Sequence, residues 1–257
     1  MSLNLERVEE RLSTQAIARR LIYLTSTTST QDIARREAEA GAAHGTAVIA
    51  EEQTAGRGRL GRSWVSPTGK NIYVTLLLRP ELARLRVLGM AAPLAVVRAV
   101  ESVTGLAPTL KWPNDVLLSG RKLAGVLIDS ELSGSAVKYA LLGIGVNVNF
   151  DIPEGSEIAT IATSLKREAG SEVSREDVFA ALLNEFEQLY LHAPPEVIRD
   201  AWRQRLETLG REVTVTFRGT VHEGVAEDIG ADGSLLLRRA DGSQLVVEAG
   251  EVTLRAS

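Results

Sequence analysis

Residues 110–118, 122–131 and 137–149 are three strand-like runs separated only by a Ser119-Gly120 turn and a second turn at Gly134. Parallel neighbours need a long crossover, usually a helix, and there is no room for one here. This stretch therefore predicts an antiparallel or mixed sheet rather than a βαβ series. Two further apolar, β-rich runs at 46–51 and 71–78 extend the strand content.

Helical segments surround this sheet. Leu5, Val8 and Leu12 recur at helical spacing, which predicts an amphipathic helix over 3–20. Ser29 and Asp32 resemble a capping pair opening a helix that runs to Gly41. Residues 86–104 have helical periodicity and end at Gly105 with Pro93 inside, and 174–206 are helical with a break at Pro194-Pro195. From Gly210 the texture changes: Val213, Val215 and Phe217 alternate, and Asp232-Gly233 and Asp241-Gly242 are turn pairs between short apolar runs. Residues 211–255 are expected to form a small all-β module closed into a compact barrel, dividing the chain into 1–209 and 210–257.

Composition excludes several kinds of function. The chain of 257 residues has no cysteine, hence no disulfide, thiolate metal site or cysteine nucleophile. Its three histidines, His44, His192 and His222, lie far apart without ligand spacing, which leaves a histidine metal site or a Ser-His-Asp triad unsupported. A net charge of −4 gives no general attraction to nucleic acid or anionic membrane. The charged N-terminus lacks the apolar core of a secretory signal, and no apolar run approaches the ~18 residues of a membrane span. Reducing cytoplasm is the compatible location.

Three stretches could carry chemistry. Residues 53–80 hold five cations (Arg57, Arg59, Arg62, Lys70, Arg79) and no carboxylate. Within them stands Gly56-Arg57-Gly58-Arg59-Leu60-Gly61-Arg62-Ser63-Trp64, where glycines admit close backbone approach and arginines supply planar donors for phosphate or carboxylate. The run matches G-x-G-x-x-G in letters, but a strand follows it rather than the helix a dinucleotide site needs. No HRD or DFG sequence supports a kinase, and residues 66–71 make no Walker loop. The second stretch, Lys111-Trp112-Pro113-Asn114-Asp115, leads into Arg121-Lys122-Leu123-Ala124-Gly125. Alone it reads as a β-turn capped by Asn and Asp. In the third, Gly143-Ile144-Gly145-Val146-Asn147-Val148-Asn149 places amides in an apolar strand whose glycines also suit simple packing.

In this order the three stretches resemble the biotin protein ligase family, whose fingerprint is GRGR.GR.W, KWPND, K.AG.L (Lys122–Leu127) and G.G.N.N. An upstream STN element corresponds to Ser29-Thr30-Gln31, with Gln31 in place of the usual Asn, and the likeness extends from about Leu21 to the C-terminal GEVTLR. The resemblance implies an α/β (α+β) fold: a mixed-sheet catalytic domain of the biotin/lipoate ligase type with a small C-terminal SH3-like β-barrel. It implies a biotin–[biotin carboxyl carrier protein] ligase, with ATP and biotin as substrates, Mg²⁺ as the metal, and a biotin carboxyl carrier domain as the protein partner. Only 28 residues precede Ser29, too few for the winged helix-turn-helix of some members, so the likeness is to the monofunctional kind. No DNA or membrane partner is expected, and a homodimer is allowed.

Roles carry over by position. Ser29, Thr30, Gln31, Gln53, Gly56, Arg57, Gly58, Arg59, Lys122 and Gly125 would surround biotin. Arg59, Arg62, Trp64, Asn114, Asn147, Glu251 and Arg255 would serve ATP and the adenylate. Arg57, Arg59, Lys111 and Lys122 would neutralise developing charge, and Asp115 would accept or orient the acceptor amine. No protein-held metal site is implied. A lipoate or octanoate ligase shares the catalytic fold but lacks the arginine–tryptophan signature. A non-catalytic nucleic-acid binder is disfavoured because only 4% of residues are aromatic and none form a stacking series with the arginines.

Overall fold

The computed structural model describes residues 2–217, 219–248 and 250–254. Its main sheet joins β1 (Leu21–Leu24), β2 (Thr46–Ala50), β3 (Ile72–Leu78), β4 (Thr109–Lys111), β5 (Asp115–Leu118), β6 (Arg121–Ser133) and β7 (Ala136–Val146). They lie in the order β1-β2-β3-β7-β6-β5-β4, and only β1 and β2 run parallel. The predicted strand over 110–118 is a hairpin instead: Trp112, Pro113 and Asn114 make a turn that pairs Lys111 with Asp115.

Strand alternation decides where a cavity can form. On β3, Ile72, Val74, Leu76 and Leu78 enter the main core, as do Ala140, Leu142, Ile144 and Val146 of β7. That face is covered by α3 (Leu82–Thr104), against which α4 (Arg175–Glu187) and α5 (Pro195–Arg205) pack. The opposite face is covered in part by α2 (Thr30–Glu39), over Val48, Leu77, Tyr139 and Leu141. Further along the same face, Thr75 of β3, Gly143 and Gly145 of β7 and Gly125 of β6 are small and leave room for a cavity. α3 is long and apolar enough to span a membrane by length and composition, but it is the central core helix here, with two-thirds of its apolar window buried.

The predicted helix over 3–20 is only α1 (Leu5–Glu9). Its continuation is unwound because the buried Glu187 carboxylate accepts the backbone N–H groups of Gln15, Ala16 and Ile17 at 2.6–2.8 Å. Those donors are lost to a helix, and the chain turns at Ala18 (φ 59°) into β1.

The C-terminal module corrects the barrel expectation. Its strands are β8 (Glu212–Phe217), β9 (Thr220–Ile229), β10 (Leu235–Arg238), β11 (Gln244–Val247) and β12 (Glu251–Leu254). They form an open antiparallel sheet in the order β11-β10-β9-β8-β12. β12 folds back onto β8 while β11 stays on β10, so the last two strands stand at opposite edges, with no pairing between them among the described residues. Closure needs edge strands that meet with matched tilt and stagger. The module still packs on the larger sheet, where Trp112 Nε1 donates to the Gly233 carbonyl at 2.9 Å, while Trp112 N–H donates to Thr208 Oγ1, just ahead of the module, at 3.0 Å.

Candidate active site

A cavity of about 520 Å³ lies over the glycine-lined part of the sheet. At one end is a network of small polar groups. The N-cap of α2, Ser29, presents Thr30 to Gln53: the Thr30 N–H and hydroxyl both donate to Gln53 Oε1, at 2.9 and 3.1 Å. Thr30 Oγ1 also meets Thr75 Oγ1 at 2.8 Å, and Gln53 Nε2 donates to Ser66 Oγ at 3.0 Å. Ser29, Thr30 and Gln31 are all buried. Gln31 Nε2 donates to the Leu127 carbonyl at 3.3 Å, while its Oε1 is buried without a partner among the described residues. A Cβ on Gly143 would lie 2.7 Å from Gln31 Nε2, so Gly143 is what admits the longer amide.

The floor beside it is made by Gly125 and Gly145, which face each other across β6 and β7. The Trp64 indole lies on them: a Cβ on Gly145 would meet its ring at 2.6 Å, and one on Gly125 would meet it at 3.2 Å. Lys122 Nζ stands 5.5 Å from the indole centroid and pairs with Asp115 Oδ1 at 2.6 Å. Its backbone is clamped as well, donating to Ile161 O at 2.8 Å and accepting from Thr163 N–H at 2.9 Å.

The glycine–arginine loop makes the wall. Trp64 N–H donates to Gly56 O and Gly58 N–H to Arg62 O, closing a compact turn. Arg57 pairs with Asp32 of α2 at 2.5 Å. Arg59 crosses the cavity, donating to Asn114 Oδ1 at 2.8 Å and to the Gly250 carbonyl at 3.3 Å, so it joins the loop to the β4–β5 turn and to the C-terminal module. Asn114 is fixed in turn by donation to Val126 O at 2.6 Å. Asn147 donates to Thr163 O at 3.0 Å and accepts from Asn71 Nδ2 at 3.3 Å.

Ser29, Thr30, Gln31, Gln53, Arg57, Gly58, Arg59, Arg62, Trp64, Lys111, Asn114, Asp115, Lys122, Gly125 and Asn147 all line this one cavity. Gly56 does not line it but packs against the Trp64 carbonyl and Ser66, where a Cβ would come within 2.5 Å. Glu251 begins β12, next to the lining residues Gly250 and Val252, and Arg255 lies outside the described residues. Arg79, counted with the basic cluster, is elsewhere: its guanidinium donates to the carbonyls of Ala38, Ala42 and Lys138. Sequence reasoning missed Thr75, Glu207 and the segment around Phe150, Ile158, Thr160 and Ala162, which also line the cavity. Only the strand alternation of β3 could have pointed to Thr75, and the segment after Phe150 carries no motif.

The chain is similar to known proteins over most of its length. The model of the biotin/lipoate A/B protein ligase family matches residues 21–147, and that of the biotin protein ligase C-terminal domain matches 208–255. The chain is 39% identical over 218 residues to the biotin–[acetyl-CoA-carboxylase] ligase of Paracoccus denitrificans, covering 80% of this chain and 88% of that protein. It is 35% identical over 247 residues to the bifunctional ligase/repressor BirA of Bacillus subtilis, covering 93% and 75%. Among solved structures, the biotin protein ligase from Aquifex aeolicus in complex with biotin and ATP superposes with a TM-score of 0.76 at 33% identity, over 93% of this chain and all of that one.

Proposed function

The chain belongs to the biotin protein ligase family, and from that premise we propose which residues do the work and what receives the product. The enzyme activates biotin with ATP to biotinyl-5′-AMP. The observation that carries the residue assignment is the convergence of the arginine loop, the Lys111–Asp115 turn, Lys122 and Asn147 on one cavity, whose volume is in the range of small-ligand sites.

In the proposed arrangement the ring system of biotin meets Ser29, Thr30, Gln31 and Gln53. Its carboxylate, ionised at neutral pH, needs no base to attack the α-phosphate of ATP. A C–O–P linkage forms, pyrophosphate leaves, and the catalytic burden is positioning and charge neutralisation by Arg57, Arg59, Lys111 and Lys122. Arg62, Trp64, Asn114, Asn147, Glu251 and Arg255 are assigned to the nucleotide. Mg²⁺ enters as part of the MgATP substrate. Magnesium is commonly held by one or two carboxylates together with substrate phosphates.

The second step joins biotin to a lysine of a biotin carboxyl carrier domain. The amine attacks the mixed-anhydride carbonyl, a C–N bond forms and AMP departs. Asp115 is the group assigned to take or orient the amine proton. Its ion pair with Lys122 couples the two steps, because a Lys122 that turns towards phosphate releases Asp115. The reaction draws on cytoplasmic ATP, and a cytoplasmic location is part of the proposal. Biotin-dependent ATP–pyrophosphate exchange tests it. Exchange is expected with biotin and not with lipoate or octanoate, and exchange driven by lipoate alone would replace this reading.

A further inference from the structure

The rim of the cavity is not polar throughout. Leu60, Val65 and Ile161 border it yet are 73%, 48% and 60% exposed. Leu60 is the most unusual of the three. It stands at the tip of the glycine–arginine loop with φ 54° and ψ 36°, a left-handed backbone that glycine or asparagine adopts at lower cost. A leucine held there with its side chain in water gains nothing from the fold, and such local cost is typically kept where a site needs it. The cations Arg62, two residues further along the loop, and Lys111 line the same cavity, in a chain whose net charge is −4.

The inference rests on the reading that an adenylate made in this cavity passes to a protein lysine. An extended lysine side chain reaches roughly 6 Å from its Cα. The acceptor backbone must therefore come down to the mouth, and the surface beside its lysine must meet the rim. We propose that Leu60, with Val65 and Ile161, is the docking ledge for the acceptor domain. The matching partner carries an apolar side chain next to its target lysine and carboxylates around that contact. A second copy of this chain fits less well, because a two-fold contact through this rim would set like charge against like.

Leu60→Asn removes the apolar side chain and keeps a residue suited to the left-handed backbone. ATP–pyrophosphate exchange, and formation of biotinyl hydroxamate from hydroxylamine, are expected at the wild-type rate, since neither needs a docked protein. The KM for a purified biotin carboxyl carrier domain is expected to rise ~10-fold. Ile161→Asn should move the same parameter in the same direction. An unchanged carrier KM in both variants overturns the proposal. So does a parallel loss of exchange, which would assign Leu60 to the ligand, or dissociation of a dimer in sedimentation, which would assign the ledge to a second copy. Absence of biotin-dependent exchange in the wild-type protein would instead count against the reading beneath the proposal.

Discussion

The floor and the wall of the cavity are both rich in glycine, and the floor glycines and Gly61 of the wall serve opposite purposes. In the floor, Gly125, Gly143 and Gly145 sit within paired strands, and an added Cβ would come within 3.1 Å of Lys122, 2.7 Å of Gln31 and 2.6 Å of Trp64. These glycines matter for the side chain they lack, which leaves a fixed template onto which functional groups pack. In the wall, Gly61 has open space around it and a φ of +75°, and Arg57 and Arg59 tie the loop to Asp32, Asn114 and Gly250. A sheet held by a continuous hydrogen-bond ladder resists local opening, whereas a loop fastened by a few side chains opens at small cost. In the proposed function, synthesis depends on the first and retention of the adenylate on the second.

The largest effect is expected at the cation seated between the two. Lys122→Ala should cut adenylate synthesis by ~10²–10³-fold, the scale of losing one preorganised donor. Thermal stability should hardly move, because its partly exposed ion pair with Asp115 contributes little. Exchange at the wild-type rate would take Lys122 out of the chemistry.

Gly145→Ala probes the floor directly. The new methyl group occupies the place of the Trp64 indole, which stands on the loop and moves more easily than the strand. Synthesis is expected to fall ~10²-fold or somewhat less with the fold intact, since a displacement of about an ångström suffices for that. A variant with normal KM for ATP and biotin would show that the indole need not lie there.

Arg59→Gly probes the wall. It cuts the fastening to Asn114 and to Gly250 but leaves the floor untouched. Adenylate should still form but escape faster, by ~10-fold in a stopped-flow dissociation rate if one charge-assisted bond is lost. An unchanged off-rate would mean that the loop is fastened elsewhere.

Glu187 lies outside both regions and is the control. Burial alone would raise its pKa, but the N–H groups of Ile17, Gln15 and Ala16 outweigh that and hold its carboxyl below the usual value of 4.5. A carboxyl lowered by folding contributes stability above its unfolded pKa and loses it as pH falls through the folded one. Wild-type stability should therefore decline on acidification below pH 4.5, and Glu187→Gln, with no proton to gain, should show a shallower decline in Tm. Activity per folded molecule at neutral pH should not change.

Much of the wall was legible because arginine, glycine and tryptophan in close sequence are an unusual demand, as are Lys111–Asp115. The polar end was less so, since Ser29 was readable as a helix cap but nothing local links Thr30 to Thr75 across 45 residues. The expected N-terminal helix stops short because the periodicity of Leu5, Val8 and Leu12 is local, while the carboxylate that takes the N–H groups of Ala16 and Ile17 is about 170 residues away. The sheet is open rather than the expected barrel for a similar reason. Alternation such as Val213, Val215 and Phe217 specifies strands and a buried face, but whether β11 meets β12 depends on pairing that alternation does not encode.

The central claim is that one cavity both makes and keeps an adenylate, and native mass spectrometry after incubation with biotin and MgATP measures that directly. The prediction is one biotinyl-5′-AMP retained per chain, absent from Lys122→Ala and depleted in Arg59→Gly. Recovery of the bare chain with biotin and ATP unconsumed would contradict the account.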